Sequence, residues 1–333
     1  MSPAPARMRA AYVTRHGPPS EIRIGDLPVP GIGPAEVLVA VEVVAVSAAD
    51  TFVRSGQYVT PVPFPYILGR DLAGRVVAAG PCAPFAPGDR VWSGSLGHEG
   101  RQGCFAQYAA VPADRLYRLP DAVSPELAVA LAHPAATAWL GWFAHARLRA
   151  GETVYVGGAA GNVGSAALVM ARRAGARVLA GARPADHARC RAAGAAEVAD
   201  FAGPDLAGVL RGQAPDGVDV FWDTSGRQDL GVAAAVLRPG GRIVVSAGFG
   251  GRTEVPLGAL YARDASLLGF VISRARADHL AAAAALINDL AATGRLSARI
   301  AGELPLADAA EAHARMEAGQ IHGRLLLRPQ VAE

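Results

Sequence analysis

The sequence predicts an α/β protein with two parts, a β-rich domain and a doubly wound domain built on a parallel sheet. Three observations predict this fold class. The chain has 333 residues, and a single domain typically has about 150. Up to about Ser124 it consists of short apolar or alternating runs broken by Gly, Pro and Asp. From Glu152 onward, strand-like and helix-like segments alternate, as in a parallel sheet covered by helices.

The β-rich part begins with five short runs that favour strands. They are RAAYVTR, EVLVAVEVVAVS, GRVVAAG, DRVWSG and FAQYAAVP. No long helical period interrupts them. The next segment, SPELAVALAHPAATAWLGWFAHA, has helical spacing, with Ser124 as its N-cap and Glu126 in its first turn.

The doubly wound part contains strands TVYVGG, RVLAGA, EVAD, VDVFWDTS and GRIVVSAG, with helices over 163–174, 185–193 and 228–237. The run SLLGFVI follows. The chain then continues with a helix in ADHLAAAAALINDLAATG, the segment ELPLADAAEAHARMEAG and a final strand GRLLLRP. We therefore expect a doubly wound domain over 125–272, inserted into a β-rich domain formed by 1–124 and 273–333.

Composition limits the possible functions. Hydrophobic residues make up 51% of the chain, so a large core can form, and a net charge of +3 is too small to indicate a nucleic-acid partner. No apolar run approaches the roughly 20 residues that cross a bilayer, and MSPAPAR lacks the apolar stretch of a signal peptide. We expect a cytoplasmic protein with a small-molecule substrate and no membrane partner.

The basic residues and the cysteines exclude particular chemistries. All 32 basic residues are arginines, so lysine Schiff-base chemistry is excluded, and a phosphate would be bound by Arg side chains or backbone amides. Cys82, Cys104 and Cys190 are isolated, which indicates neither a disulfide framework nor a zinc knuckle.

A glycine cluster follows the first strand of the doubly wound part. The motif Ala159-x-Gly161-x-x-Gly164 opens a helix directly after that strand. A missing side chain at the second glycine position lets the backbone approach a pyrophosphate, and the helix N-terminus presents free N–H groups to it. Ala159 replaces the first glycine of the usual pattern, and the setting favours a dinucleotide over a generic turn. The predicted cofactor-binding residues here are Gly158, Ala159, Ala160, Gly161, Asn162, Val163 and Gly164.

The residue that ends the second strand indicates which dinucleotide binds. An NAD enzyme places Asp or Glu about 20 residues further on, where it binds the ribose 2′-hydroxyl. This chain has Arg183 instead. An Arg forms charge-assisted hydrogen bonds with a 2′-phosphate, which an acid would repel. We therefore expect NADPH; the alternative is that Arg183 is solvated and Asp186 contacts the ribose.

Several stretches together resemble one known family. They are PVPGIGPAEVLVAVEVVAVSAADTFVRSGQY, PYILGRDLAGRVVAAG, PFAPGDRVW, GGAAGNVG, LRPGGRIVVSAG and ELPLADAAEAHARMEAGQIHGRLLL. The chain resembles the zinc-free quinone oxidoreductases, the ζ-crystallin type of the medium-chain dehydrogenase/reductase superfamily. The resemblance implies a GroES-like β-rich catalytic domain, a Rossmann domain and NADPH in the cleft between them. It also implies a homodimer joined through the nucleotide domain by LLGFVI.

The resemblance also bears on metal binding. Zinc-dependent relatives hold zinc with a Cys, the His of a Gly-His-Glu motif and a further Cys or His. The matching positions here are Ser47, Arg70 and His133. This set does not make a tetrahedral zinc site, so we expect no metal. We expect Arg70 and Asp71 to form an ion pair or to cover the cofactor, and His133 to be a pocket donor or an ordinary helix-face residue.

The remaining site residues are implied by the resemblance alone. Ser47 and Tyr58 are the candidate catalytic donors, and Asp50, Phe52, His133, Trp139 and Phe249 are the candidate pocket residues. The alternative for each aromatic is core packing. The predicted contacts to the cofactor are Thr137, Ala247, Gly248, Phe249, Phe270, Val271 and Arg324.

Three positions depart from the family pattern. Ser47 stands where the family has Asn, and Phe52 and Phe201 each stand where it has Tyr. These changes alter the polarity of the pocket. The implied activity is hydride transfer from NADPH to a quinone or related conjugated carbonyl. The alternatives are an enoyl reductase of polyketide or fatty-acid assembly, and an NADPH-binding protein without turnover.

Overall fold

A computed structural model describes residues 4–329. The chain divides into two compact units, the first formed by Met1–His133 with Arg276–Glu333 and the second by Pro134–Ala275. The predicted domain limits, 124/125 and 272/273, stay a prediction.

The strands follow the order expected from the alternating and apolar runs. They are β1 (Arg7–Val13), β2 (Arg23–Pro28), β3 (Glu36–Ala45), β4 (Tyr66–Ile67), β5 (Asp71–Ala79), β6 (Arg90–Ser93), β7 (Tyr108–Pro112), β8 (Leu116–Arg118), β9 (Thr153–Gly157), β10 (Arg177–Ala182), β11 (Glu197–Asp200), β12 (Val218–Asp223), β13 (Leu237–Val245), β14 (Ser266–Gly269), β15 (Ile300–Pro305) and β16 (Arg324–Arg328).

The α-helices lie mainly between the strands of the second unit. They are α1 (Ala48–Ser55), α2 (Pro125–Trp139), α3 (Asn162–Arg173), α4 (His187–Ala192), α5 (Leu206–Gln213), α6 (Leu230–Val236), α7 (Leu257–Tyr261), α8 (Ala277–Ala292) and α9 (Ala309–Glu317).

The first unit is built on two β-sheets. One has the order β2-β1-β4, and the other has the order β15-β16-β3-β5-β6-β8, with β7 also paired to β3. Neighbouring strands are antiparallel except β15 and β16. Apolar side chains from β3, β5 and β7, among them Val39, Val41, Leu72 and Val111, form a buried core. The C-terminal strand β16 pairs with β3 and so returns to the β-rich unit.

Helix α1 lies in a region where the runs indicate only strands. Ser47 caps it: its hydroxyl accepts a hydrogen bond from Ala49, and Asp50 accepts one from the backbone of Ser47. The pattern Ser-x-x-Asp is a capping box, which satisfies N–H groups that have no partner in the first turn. This pattern could have revealed α1 in the sequence.

The second unit carries a parallel six-stranded sheet with the order β11-β10-β9-β12-β13-β14. The order reverses direction at β9, the strand that precedes the glycine cluster. Ligands of such sheets bind beyond the carboxyl ends of the strands, at the point of reversal. The predicted fold class, a β-rich part with a doubly wound Rossmann part, is confirmed.

Helix α2 continues without interruption into a π-helical segment, Leu140–Ala146. Leu127 donates to the hydroxyl of Ser124 at 3.2 Å, so the predicted N-cap is present. Sequence inspection found no apolar run of bilayer length, but the combined helix Pro125–Ala146 is long and apolar enough to cross one. Its most apolar window is 72% buried, as in a core helix of a folded protein. A cytoplasmic location stays a prediction.

Candidate functional site

The carboxyl ends of β9, β10 and β12 lie side by side in the second unit. Gly157, the last residue of β9, is in register with Gly181 of β10 and with Asp223 of β12. The residues that follow these strands therefore meet at one edge of the sheet. This places the glycine cluster and Arg183, which lie far apart in the sequence, on the same edge.

The turn after β9 requires glycine at particular positions. Gly158 has a φ of +66°, a left-handed conformation that residues with a side chain rarely adopt. A Cβ atom on Gly164 would lie 2.2 Å from the carbonyl oxygen of Gly158. Gly164 thus allows α3 to pack closely against the turn, as expected of the third glycine in a dinucleotide motif.

The N-terminus of α3 is suited to an anion. Within residues 4–329, no side chain caps this helix and its first turn holds no acidic residue. The positive end of its dipole, with no acidic side chain in the first turn, therefore suits a phosphate. Gly161 precedes the helix in an extended conformation, and a Cβ there would contact only the carbonyl oxygen of Gly158, at 3.1 Å. Packing therefore restricts a side chain at Gly161 less than at Gly164, where the contact would be 2.2 Å.

Arg183 directly follows β10 and is exposed. In the described part of the chain its side chain forms no hydrogen bond or ion pair. Its backbone carbonyl accepts a hydrogen bond from Asp186, which begins the turn into α4 and is half-buried. Arg183 therefore presents an uncompensated guanidinium at the edge that carries the glycine turn.

The other predicted cofactor residues of the second unit follow β13 and β14 at the same edge. Ala247 is half-buried, and Gly248 and Phe249 are exposed. Phe270 is half-buried and Val271 is 39% exposed after β14. Thr137 lies on α2 and is buried. Contacts of these residues with a cofactor stay predictions.

Aromatic residues support this edge from within the second unit. Trp222 of β12 packs edge-on against Trp142, with ring centroids 4.9 Å apart, and donates to the hydroxyl of Ser246 at 3.0 Å. Phe270 stacks on His145, with centroids 4.5 Å apart. The predicted pocket residue Trp139 contacts Phe143 at 5.6 Å between centroids. The cluster fixes the segments that follow β13 and β14.

In the first unit, the two predicted residues at the start of α1 are tied to each other. The hydroxyl of Ser47 accepts from Ala49 at 3.4 Å, which leaves its hydrogen for another acceptor. Oδ2 of Asp50 accepts the N–H of Ser47 at 2.9 Å, and its Oδ1 lies 3.3 Å from Nε of Arg70. Asp50 is 3% exposed, so the carboxylate predicted for the pocket is held inside the unit.

The expected ion pair takes a different form. Arg70 pairs with Asp50, whereas Asp71 pairs with Arg324, whose Nη2 donates to its Oδ2 at 2.7 Å. Asp71 begins β5, and successive side chains of an extended strand point to opposite faces. Arg324, predicted to reach the cofactor, is 4% exposed and is committed to Asp71.

Burial dominates the electrostatics of this cluster. It raises the pKa of Asp50 to about 7 and that of Asp71 to about 6, against the opposing effects of the nearby guanidinium groups. It lowers the pKa of His133 well below its usual value, and Arg70 and Arg324 lower it further. The positively charged form of His133 is therefore disfavoured at physiological pH.

The remaining predicted residues of this unit lie on and after α1. Phe52 lies on the helix and Tyr58 in the loop that follows it, and both are half-buried. Tyr58 packs against the core and against His98, with ring centroids 5.7 Å apart. His98 is not among the predicted site residues, although Gly-His-Glu-Gly at 97–100 is an unusual polar run within a β-rich region.

Two family descriptions match this chain. The alcohol dehydrogenase GroES-like domain matches residues 33–121, and the zinc-binding dehydrogenase family matches residues 162–289. The quinone oxidoreductase of Mus musculus is 31% identical over 312 residues, which are 92% of this chain and 93% of that protein. The chain belongs to the quinone oxidoreductase family. It is therefore an oxidoreductase of the medium-chain dehydrogenase/reductase superfamily, and the predicted family is confirmed.

Two further relatives bear on the cofactor and on the substrate class. A mycobacterial protein solved in complex with NADPH is 29% identical and superimposes with a TM-score of 0.83, over 97% of this chain and all of that chain. A mycocerosic acid synthase-like polyketide synthase of Mycobacterium tuberculosis is 32% identical over 89% of this chain, which is 14% of that protein. A nicotinamide cofactor is common to this dehydrogenase family.

The residues of this chain do not fit the zinc ion that the second family description names. Within residues 4–329, no group of three or more His, Cys, Asp and Glu side chains could hold a metal ion. At the positions matched to zinc ligands, Ser47 caps a helix and Arg70 places a cation beside Asp50. A guanidinium is not a zinc ligand and would repel the ion.

Proposed function

We propose that this protein transfers hydride from NADPH to a quinone or related conjugated carbonyl without a metal ion. The observation that carries the choice of cofactor is the exposed guanidinium of Arg183 at the sheet edge that also holds the Gly158–Gly164 turn. The α3 N-terminus suits the pyrophosphate, and Arg183 suits a 2′-phosphate. The NADPH complex of a relative supports the same choice.

NADPH, when bound, supplies the hydride, and the protein supplies orientation and charge stabilisation. The substrate gains negative charge on its oxygen as hydride arrives, so it needs hydrogen-bond donors. Ser47 and Tyr58 are the proposed donors. The hydroxyl of Ser47 has its hydrogen available, and solvent is the final source of the proton.

Steady-state oxidation of NADPH tests the proposal. The purified protein is assayed against matched quinones and enones, with and without a chelator. We expect the protein to turn over quinones at a rate that the chelator does not change. Loss of activity on chelation would contradict metal independence, and binding of NADPH without turnover of any acceptor would indicate a non-catalytic NADPH-binding protein.

The second candidate function is reduction of an α,β-unsaturated thioester or ketone. It is favoured by the similarity to the polyketide synthase segment, and a second synthase, erythronolide synthase EryA2 of Saccharopolyspora erythraea, is 42% identical over 160 residues. The same assay with an enoyl thioester distinguishes the two functions. A kcat/KM for the thioester above that for every quinone would favour the enoyl reductase.

We also propose a homodimer formed through β14. This strand is at the edge of the parallel sheet, and Leu267 on it is 43% exposed. Leu257 and Tyr261 of α7 are 70% and 78% exposed. An open strand beside exposed apolar side chains is suited to pairing with a second copy. Sedimentation should give a dimer mass, and Leu267→Arg should give a monomer.

A further inference from the structure

A short loop of the first unit, residues 97–102, is held in a strained conformation. Glu99 has a φ of +52°, which is uncommon for a residue with a side chain, and Gly97 and Gly100 also have positive φ. Hydrogen bonds hold the loop in place: Tyr66 donates to the carbonyl of Gly97 at 3.0 Å, and Gly100 donates to that of Pro61 at 2.9 Å. Strain that the surroundings maintain in this way is typical of functional positions.

The loop places His98 between a hydroxyl and a carboxylate. Nδ1 of His98 lies 3.1 Å from Oγ1 of Thr60, and Nε2 lies 3.6 Å from Oε1 of Glu99. His98 is 3% exposed, whereas the Glu99 side chain is 60% exposed. The imidazole therefore joins a buried hydroxyl to a carboxylate in contact with solvent.

The hydrogen bonds of Thr60 define the tautomer of His98. Oγ1 of Thr60 accepts the backbone N–H of Glu99 at 3.1 Å. If it also accepted a proton from His98, its own buried hydrogen would lack an acceptor, which is costly. This cost is avoided when the Thr60 hydroxyl donates to Nδ1. Neutral His98 then carries its proton on Nε2, facing Glu99.

The same imidazole packs against Tyr58, with ring centroids 5.7 Å apart and planes inclined by 48°. The backbone N–H of Tyr58 donates to the carbonyl of Phe52 in α1 at 3.0 Å, so the main chain of Tyr58 is held as well. The ring contact is the link between the polar chain and the proposed hydrogen-bond donor. An imidazole held by a hydrogen bond at Nδ1 restricts the phenol ring more than an apolar contact alone.

We propose that His98 is a positioning residue for Tyr58, and that the Thr60 hydroxyl holds its neutral, Nε2-protonated form, whereas the Glu99 carboxylate favours the imidazolium. The proposal deepens the proposed function, because it rests on Tyr58 serving the substrate oxygen. Protonation at Nδ1 breaks the hydrogen bond from Thr60 and releases the imidazole. Tyr58 and Glu99 contact the imidazole, Tyr66 donates to the preceding Gly97, and Nη1 of Arg101 lies 3.8 Å from Oε2 of Glu99.

A double-mutant cycle tests whether His98 acts through Tyr58. His98→Phe keeps an aromatic ring against Tyr58 and removes both nitrogen contacts. We expect it to lower kcat/KM for a quinone about tenfold, with the Kd of NADPH unchanged, and to have less than a twofold effect in the Tyr58→Phe background. His98→Asn, whose amide oxygen can accept from Thr60, should restore part of the loss. An equal loss in both backgrounds would overturn the proposal.

The pH dependence provides a second test, with opposite signs for two variants. Thr60→Val removes the hydrogen bond to Nδ1 that favours neutral His98, so the acidic limb of the kcat/KM profile should move to higher pH. Thr60→Ser keeps the hydroxyl and should leave the limb in place. Glu99→Gln removes the carboxylate that favours the imidazolium, so the limb should move to lower pH. Shifts in the same direction, or none, would contradict the proposal.

NMR of 15N-labelled histidine measures the tautomer and the protonation of His98 without catalytic turnover. The His98 resonances are assigned from their loss in His98→Asn, and we expect them to show the Nε2–H tautomer. The midpoint of the His98 titration should move to higher pH in Thr60→Val and to lower pH in Glu99→Gln. An Nδ1–H tautomer would overturn the proposal. If the enzyme turns over no quinone while these shifts are observed, the proposed function fails and the tautomer assignment stands.

Discussion

Nε of Arg70 lies 3.3 Å from Oδ1 of Asp50, and each side chain is 2% exposed. A buried ion pair costs desolvation of both partners, and loss of one partner leaves the other uncompensated. The cation at this position repels a metal ion and neutralises a carboxylate at the start of α1. The pair therefore has a measurable effect on stability that does not depend on any ligand.

We expect Arg70→Leu to lower the free energy of unfolding by up to about 3–5 kcal/mol above pH 7, where Asp50 must either protonate or stay buried without its cation. The double variant Arg70→Leu/Asp50→Asn should recover part of this loss. Urea unfolding of the wild type, both single variants and the double variant measures the coupling. Additive losses would show that the two side chains do not depend on each other.

Two glycines of the cofactor turn should respond differently to alanine. Gly164→Ala places a Cβ 2.2 Å from a backbone carbonyl, so we expect a loss of about 1–3 kcal/mol of stability. Gly161→Ala places its Cβ 3.1 Å from the same carbonyl oxygen, at a permitted φ of −75°. Its loss of thermal stability should therefore be smaller than that of Gly164→Ala, while NADPH binds at least about tenfold more weakly. Calorimetry and a fluorescence titration separate the two effects. Normal NADPH affinity in Gly161→Ala would contradict binding of the pyrophosphate at this turn.

Removal of the Tyr58 hydroxyl tests its part in the reaction. With a quinone, Tyr58→Phe should raise KM and leave kcat nearly unchanged, since the reduced oxyanion is weakly basic and water can protonate it. With an enone, whose enolate is more basic, kcat should fall by roughly 10². Both acceptors are assayed at saturating NADPH. A hundredfold loss of kcat on the quinone would make Tyr58 a catalytic acid.

Acid destabilisation should depend on His313. This residue is fully buried on α9, and burial, assisted by Arg54, lowers its pKa from 6.5 to about 3. Between these two pH values the unfolded chain binds a proton that the folded chain does not, so stability falls as pH falls, by about 1.4 kcal/mol per pH unit. In His313→Leu this contribution should vanish. Urea unfolding at several pH values in this range measures the slope, and an unchanged slope would contradict the assignment.

The parts of the site that depend on local sequence could be predicted. The Gly158–Gly164 turn and the Ser124 cap each lie within a few residues and follow from backbone requirements. The ion pairs could not be predicted from the sequence. Asp71 on β5 meets Arg324 on β16 only because both strands pair with β3. The contact of Thr60 with His98 likewise depends on two loops that are distant in sequence.

Arg183 is the residue on which the account of NADPH-dependent reduction depends most directly. The decisive measurement is kcat/KM for NADPH and for NADH with one quinone, in the wild type, in Arg183→Ala and in Arg177→Ala. Arg177 begins the same strand, β10, at its opposite end and is also exposed, so it is the matched control. We expect the wild type and Arg177→Ala to prefer NADPH by at least about tenfold, equivalent to about 1.4 kcal/mol. Arg183→Ala should lose this preference because its kcat/KM falls for NADPH and stays unchanged for NADH. Equal use of both cofactors by the wild type, or an undiminished preference in Arg183→Ala, would contradict the account.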